Sequence, residues 1–293
     1  MTNLAYYPGC TLKTNASHFE DSALQVMEIL GLPLKEMEKW VCCGTVFSMA
    51  SDDLMLQMGA IRNLLRAQEQ QLSEIVTLCS MCYNTLQQAN KFVLSDPESL
   101  DKVNDLMYKE KVRYHGDIKI HHLLTILRER ITFAGIARQI TKPLRSLKVG
   151  AYYGCLLVRP REFAIDVFEA PSIIEDLLRT LGAEAIEFPY RLECCGAYQT
   201  VTHKEVTALR TFEIINSARR SGCDTIVTSC PLCAFNLDNR QQETGLRKPG
   251  FEKMPVFYFT ELMALALGRP WDPSWSKMHY VNPEPLLQER QLL

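Results

Sequence analysis

Eleven cysteines punctuate this 293-residue chain, at positions 10, 42, 43, 79, 82, 155, 194, 195, 223, 230 and 233. From Cys10, 31 residues lead to the pair Cys42-Cys43, 35 more to Cys79 and two to Cys82; from Cys155 the same series runs 38, Cys194-Cys195, 34, Cys230 and two to Cys233. Ten cysteines thus form two matching sets of five, an order that thiols scattered through a core would not have. The thiolate is a soft metal ligand and a redox nucleophile, so the chemistry on offer is metal binding or electron transfer at sulfur. An odd cysteine count, with no basic and then apolar leader after Met1, weighs against a disulfide framework.

The flanks repeat with the cysteines. Ala5-Tyr6-Tyr7-Pro8-Gly9-Cys10 answers Ala151-Tyr152-Tyr153-Gly154-Cys155, Cys42-Cys43-Gly44 answers Cys194-Cys195-Gly196, and Ile75-Val76-Thr77-Leu78-Cys79 answers Ile226-Val227-Thr228-Ser229-Cys230. A unit of about 145 to 152 residues is duplicated. The expected division is residues 1–143, residues 144–268 and an extended tail, 269–293, whose Trp271 and Trp275 suggest an anchor on another surface, such as that of a neighbouring protein in a complex.

Short apolar and aromatic runs ending in glycine, Leu4 to Tyr7 and Val149 to Tyr153, read as buried strands that turn sharply into Cys10 and Cys155. Ile75 to Leu78 and Ile226 to Thr228 read as second strands, and each following Cys-x-x-Cys opens a helix, with Pro231 suited to a first helical turn. Leu24, Met27 and Leu30, then Leu54, Met58, Ile61 and Leu65, then Ile174, Leu177, Leu178 and Leu181 keep helical spacing. The fold class is therefore α/β: two pseudo-symmetric halves, each a small parallel sheet flanked by helices, with cysteines at the strand carboxyl ends, where such sheets place their ligand sites. Residues 95–118 look inserted: Asp96-Pro97-Glu98 starts a helix, and Lys102, Asp105, Lys109, Glu110 and Lys111 form a charged face. The run Lys109 to Arg113 reads as solvated or as a dock for a partner.

Composition limits the rest. With 32 basic and 34 acidic residues the formal charge is −2, which argues against nucleic-acid binding through bulk positive charge. No apolar run is long enough for a transmembrane segment, so a cytoplasmic chain is expected, with peripheral attachment to a membrane complex open. There is no Gly-x-Gly-x-x-Gly after a strand and no phosphate loop, hence no flavin or nicotinamide site.

Five sulfurs exceed the four of a structural zinc site or a cubane iron–sulfur cluster, and the two of a redox Cys-x-x-Cys. Adjacent cysteines suit a larger, more open cluster in which one thiolate bridges two irons, given a turn at Gly44 or Gly196. The sets point to non-standard iron–sulfur clusters, with zinc in one half as the alternative.

The doubled pattern resembles the cysteine-rich CCG family. Over nearly all 293 residues the chain resembles the B subunit of heterodisulfide reductase, with Ala151 to Pro160 like the second-half signature of that protein. The resemblance implies two non-cubane [4Fe–4S] clusters facing one another across a cleft where a disulfide is cut. Cys10, Cys42, Cys43, Cys79 and Cys82 would hold one, and Cys155, Cys194, Cys195, Cys230 and Cys233 the other. It also implies two partners in a multi-subunit complex, one ferredoxin-like and one flavin-containing, and a small disulfide substrate such as the coenzyme M–coenzyme B heterodisulfide of methanogenesis. The other function expected is an electron-relay component of a related complex that serves a sulfur carrier, a quinone or another acceptor.

Cleaving a disulfide takes two electrons and two protons. Arg159 and Arg161, beside Pro160, are candidates for holding an anionic substrate, or else line a surface loop. His203, seven residues after the second Cys-Cys-Gly, is a candidate substrate contact or a surface histidine; His121 and His122 read as packing. Cys223 belongs to neither set and reads as a structural thiol, and Met55 and Met58 read as core filling.

Overall fold

The computed structural model describes residues 4–45 and 53–293. Two four-stranded sheets organise the chain. The first contains β1 (Leu4–Tyr6), β2 (Leu34–Glu36), β3 (Glu74–Thr77) and β4 (Lys119–His122) in the order β2-β1-β3-β4; the second contains β5 (Lys148–Ala151), β6 (Glu184–Ile186), β7 (Thr225–Thr228) and β8 (Val256–Tyr258) in the order β6-β5-β7-β8. Every pairing is parallel, and the outer registers correspond, with Thr77 opposite His122 and Thr228 opposite Tyr258. The central strands are buried because helices cover both faces, as a parallel sheet requires.

Helical spacing does what the sequence suggests. In the helix Ser17–Ile29, Phe19, Ala23, Val26 and Met27 form one fully buried stripe, while Leu24 lies outside it and is 37% exposed. In the helix Leu54–Glu69, Ile61, Leu64 and Leu65 face the core and Asp53 caps the first turn by accepting from the Met55 N–H at 2.9 Å. Met58 is core, as expected, but Met55 is 61% exposed: it occupies the first turn, off the buried stripe.

The helix expected at Asp96-Pro97-Glu98 begins there. Asp96 accepts from the Glu98 and Ser99 N–H groups, Pro97 takes the first helical position, and the helix runs Pro97–Leu106. Its charges mostly face solvent, yet Glu110 turns inward to Arg62 at 2.9 Å, and Arg113 is held by Asp101 and Asp105 at 3.1 Å each. The arginine of the Lys109–Arg113 run is thus engaged within the chain.

The halves share one continuous core. The helix Ser17–Ile29 packs on the helix Phe259–Ala266, where Ser22 Oγ lies 2.6 Å from Thr260 Oγ1 and the Phe19 ring stacks on Tyr258 at 4.1 Å. Residues past Gly268 are not an extended arm. They form the short helices Pro273–Ser276 and Glu284–Glu289, and Trp271 and Trp275 are buried on this chain: Trp271 meets Phe257 edge-on, and Trp275 Nε1 donates to Asp21 at 2.8 Å. Both indoles carry enough apolar surface to anchor the tail, and the surface they grip is the chain's own. Among the described residues no helix is long and apolar enough to cross a membrane.

Candidate functional site

All ten paired cysteines lie where β1, β3, β5 and β7 end or in the loops that face those ends. Cys79 N-caps the helix Ser80–Leu94, accepting from the Cys82 N–H at 3.5 Å, and Cys230 occupies the same position before the helix Pro231–Asn239, whose first residue is the proline the sequence offers for it. A helix N-terminus favours the thiolate over the thiol.

Each set condenses through sulfur contacts. Cys42 Sγ lies 3.6 Å from Cys10 Sγ and Cys43 Sγ 3.6 Å from Cys82 Sγ; in the second set Cys195 Sγ is 3.5 Å from Cys233 Sγ, and the Gly196 N–H reaches Cys194 Sγ at 3.3 Å. No disulfide joins any of them. Gly44 and Gly196 both adopt φ +82°, the left-handed turn that lets adjacent cysteines face one centre. Cys223 stays apart, buried beside Gly150, where an added Cβ would come within 2.9 Å of its sulfur.

Two devices that sequence reasoning missed set the position of the Cys-Cys loops. Tyr7 Oη donates to the Val41 carbonyl at 2.9 Å and Tyr152 Oη to the Glu193 carbonyl at 2.6 Å, in each half the residue immediately before the pair. The signal was present, since both tyrosines stand three residues before the first cysteine of their set. Asn63 adds a two-way clamp on Val41, and Arg210 Nε donates to the Cys194 carbonyl at 3.1 Å.

The sulfurs compete for charge. Cys42 is driven down to about 2, first by the hydrogen bond from the Cys10 thiol, while that same bond pushes Cys10 up and the bond to Cys42 pushes Cys43 up to about 12. Cys194 falls to about 2 through Cys155, while Cys155 and Cys195 rise through Cys194. Five thiolates cannot sit together unaided. A cation bound by the set resolves the conflict, so the donor sets fit a metal centre of soft-ligand type.

The two sets meet. Ser80, inside the first Cys-x-x-Cys, and Ser229, just before the second, place their Oγ atoms 2.6 Å apart, and the Ser80 N–H donates to the Ser229 carbonyl at 3.3 Å. Ser80 and Met81 also wall a small void whose other side is Cys155, Cys195, Cys230 and Cys233. The residues between the first half's cysteines therefore border the second half's cysteines.

The remaining candidates are dispersed. Arg159 donates to the Leu192 carbonyl at 2.9 Å and lies over the Phe168 ring, and Arg161 is exposed at the start of the short 3-10 turn Arg161–Phe163. His203 is on the surface with Nδ1 3.3 Å from Glu205. His122 is buried with Nε2 2.9 Å from the Leu78 carbonyl, and His121 Nε2 lies 3.1 Å from Glu74, both structural positions.

Comparison with known proteins gives this arrangement relatives. The cysteine-rich domain designated CCG matches residues 4–87 and again 149–238. The membrane anchor component of the 8-methylmenaquinol:fumarate reductase of Wolinella succinogenes is 32% identical over 91% of this chain and 92% of its own length. A protein of Archaeoglobus profundus named as like the heterodisulfide reductase B subunit is 29% identical over 93% and 92%. The B subunit of the ferredoxin/F(420)H(2)-dependent CoB-CoM heterodisulfide reductase of Methanosarcina acetivorans is 27% identical over 92% and 90%. A crystal structure of a hypothetical Helicobacter pylori protein has the same fold, with TM-score 0.76 and 14% identity over 95% of this chain and 51% of that one. The doubled cysteine pattern, the paired parallel sheets and these matches together show that the chain belongs to the CCG cysteine-rich domain family, with curated relatives named as B subunits of heterodisulfide reductase.

Proposed function

We propose that this chain is the redox component of a heterodisulfide reductase-type complex, in which Cys10, Cys42, Cys43, Cys79 and Cys82 hold one non-cubane [4Fe–4S] cluster and Cys155, Cys194, Cys195, Cys230 and Cys233 a second. The observation that carries the reading is the contact between the sets: Ser80 and Ser229 are hydrogen-bonded, and each adjoins a cluster ligand of its own half. When bound, such clusters would supply the electrons, so that a disulfide held between the two sets would take two electrons and two protons to give two thiols.

The chain's own residues supply geometry. Tyr7 and Tyr152 hold the Cys-Cys loops, and the serine pair fixes the spacing of the two centres. Tyr258, at the end of β8 and close enough to Cys79 and Cys230 to feel both, is kept protonated by its burial. Of the candidate substrate contacts, Arg161 would meet an anion more readily than Arg159, because it is exposed whereas Arg159 is engaged by a carbonyl. Electrons would come from partner proteins of the ferredoxin-like and flavin-bearing kinds.

A second reading has its own support. The relative at 32% identity is named as part of a menaquinol-linked fumarate reductase, which favours a relay that exchanges electrons with a quinone rather than with a disulfide. The experiment is reoxidation of the anaerobically reduced, iron-loaded chain by a small disulfide or by a water-soluble naphthoquinone. The first reading expects disulfide-dependent reoxidation that Cys79→Ser and Cys230→Ser each abolish. Reoxidation by quinone alone selects the second reading, and full activity in either variant overturns both.

A further inference from the structure

One buried polar cluster has no part in the function above. It lies where the first helix of the first half, the helix after β8 and the tail converge. His18, Glu261 and His279 each bring one ligand atom there, all within 4.8 Å of one another. They are shut away: His18 is 6% exposed, and the side chains of Glu261 and His279 are 0% and 2% exposed. Glu261 Oε1 lies 3.0 Å from His279 Nε2, and Oε2 accepts from the Tyr258 N–H at 2.7 Å. His18 Nδ1 is buried with no hydrogen-bond partner among the described residues. A buried imidazole nitrogen left in that state is costly, so something should answer it.

We propose that His18, Glu261 and His279 form a zinc site distinct from the ten paired cysteines. The ligand types suit zinc rather than magnesium or calcium, which take oxygen donors. Tetrahedral zinc with bonds of roughly 2.0–2.1 Å sets its ligands about 3.4 Å apart, so side-chain rotation must close the longest edge by about 1.4 Å at most. The cation would replace the proton between Glu261 and His279 and give the buried His18 ring a partner. Burial pushes the His18 pKa down to about 4, which keeps the ring in its neutral, ligating form.

The surroundings complete the site. Behind His279, the Val256 carbonyl accepts from the ring and Asp238 Oδ2 stands 3.9 Å from Nδ1, the kind of outer partner that orients a metal-bound histidine. In front, His18 and His279 line a cavity of about 80 Å³, shared with Thr11, Phe235 and Tyr280. It would leave room for a water as fourth ligand, giving the two-histidine, one-carboxylate set with an open position. The site joins His18 of the first half to Glu261 and to His279 of the tail, so the metal would also fasten the tail across both halves.

The test uses the full chain, isolated anaerobically with its iron, equilibrated with zinc chloride and washed with a mild chelator. Zinc and iron are then measured together with zinc-edge X-ray absorption. About one zinc per chain in a nitrogen and oxygen shell at about 2.0–2.1 Å is expected. His18→Leu and His279→Gln should each retain at least tenfold less zinc with iron unchanged, and zinc should raise the melting temperature of the parent chain but not of His18→Leu. A zinc-free chain with its full iron, or variants that keep their zinc, overturns the site alone. Zinc in a sulfur shell at about 2.3 Å overturns the site and the two-cluster function with it.

Discussion

Replacing Gly9 by alanine probes how closely the first cysteine set is built. Gly9 has φ +74°, and a Cβ there would stand 2.8 Å from Cys82 Sγ. Two costs follow. The left-handed backbone costs a non-glycine residue about 1–2 kcal/mol. Heavy atoms prefer about 3.5 Å or more between them, so Cys82 Sγ must withdraw by roughly 0.7 Å, whereas metal–ligand distances tolerate about 0.2 Å. Gly31 separates the two effects, because it has φ +76° with nothing within 4 Å of its added Cβ. The assay is iron per chain after anaerobic reconstitution, beside thermal unfolding. Gly31→Ala should lower the melting temperature and keep all its iron. Gly9→Ala should fall from about eight irons to about four, the second set alone remaining filled. Gly154→Ala, whose Cβ would meet Cys233 Sγ at 3.2 Å, should weaken the second set less severely. Full iron in Gly9→Ala would refute the claim that Cys82 is a ligand held against that backbone.

Other perturbations reach different parts of the account. Ser80→Ala and Ser229→Ala should each cost about 1–3 kcal/mol, because each leaves a buried hydroxyl alone, and the double variant less than their sum, as a urea-unfolding cycle would show. Tyr152→Phe removes the donor to Glu193 and should lower stability by about 1 kcal/mol while loosening iron only from the second set, read by chelator-release kinetics. Burial holds His122 down to about 3 against an ordinary value near 6.5. Its contribution is therefore complete above about pH 6.5 and is lost as pH falls toward 3, by up to roughly 1.4 kcal/mol per unit; His122→Gln should flatten that acid limb in unfolding measured from pH 7 to 5.

Much of the site was legible because its parts are local. Cys-x-x-Cys after an apolar strand is a contiguous signal, and Cys79 and Cys230 do stand at the N-cap positions of helices at the ends of β3 and β7. The duplication carried the reading from one half to the other. Short edge strands were not legible: β2 is three residues with two exposed, and β4 ends in two histidines, so neither has the apolar alternation that marks a strand. Long-range pairing was equally hidden. Nothing in the local sequence of Ser80 or Ser229 announces a partner 149 residues away, and His18, Glu261 and His279 are gathered by packing alone. The tryptophans show the limit of reasoning from residue type: an anchor was foreseeable, but the surface it grips depends on where the tail returns.

Both cysteine sets are held to bind iron at one shared place. The most direct test is the iron and acid-labile sulfide content of the anaerobic chain, joined to electron paramagnetic resonance of the fully reduced protein and of Cys79→Ser and Cys230→Ser. About eight irons are predicted, with a spectrum split or broadened by interaction between two centres, an interaction that either substitution removes. An iron-free chain, or two signals that simply add and ignore the loss of one another, would contradict it.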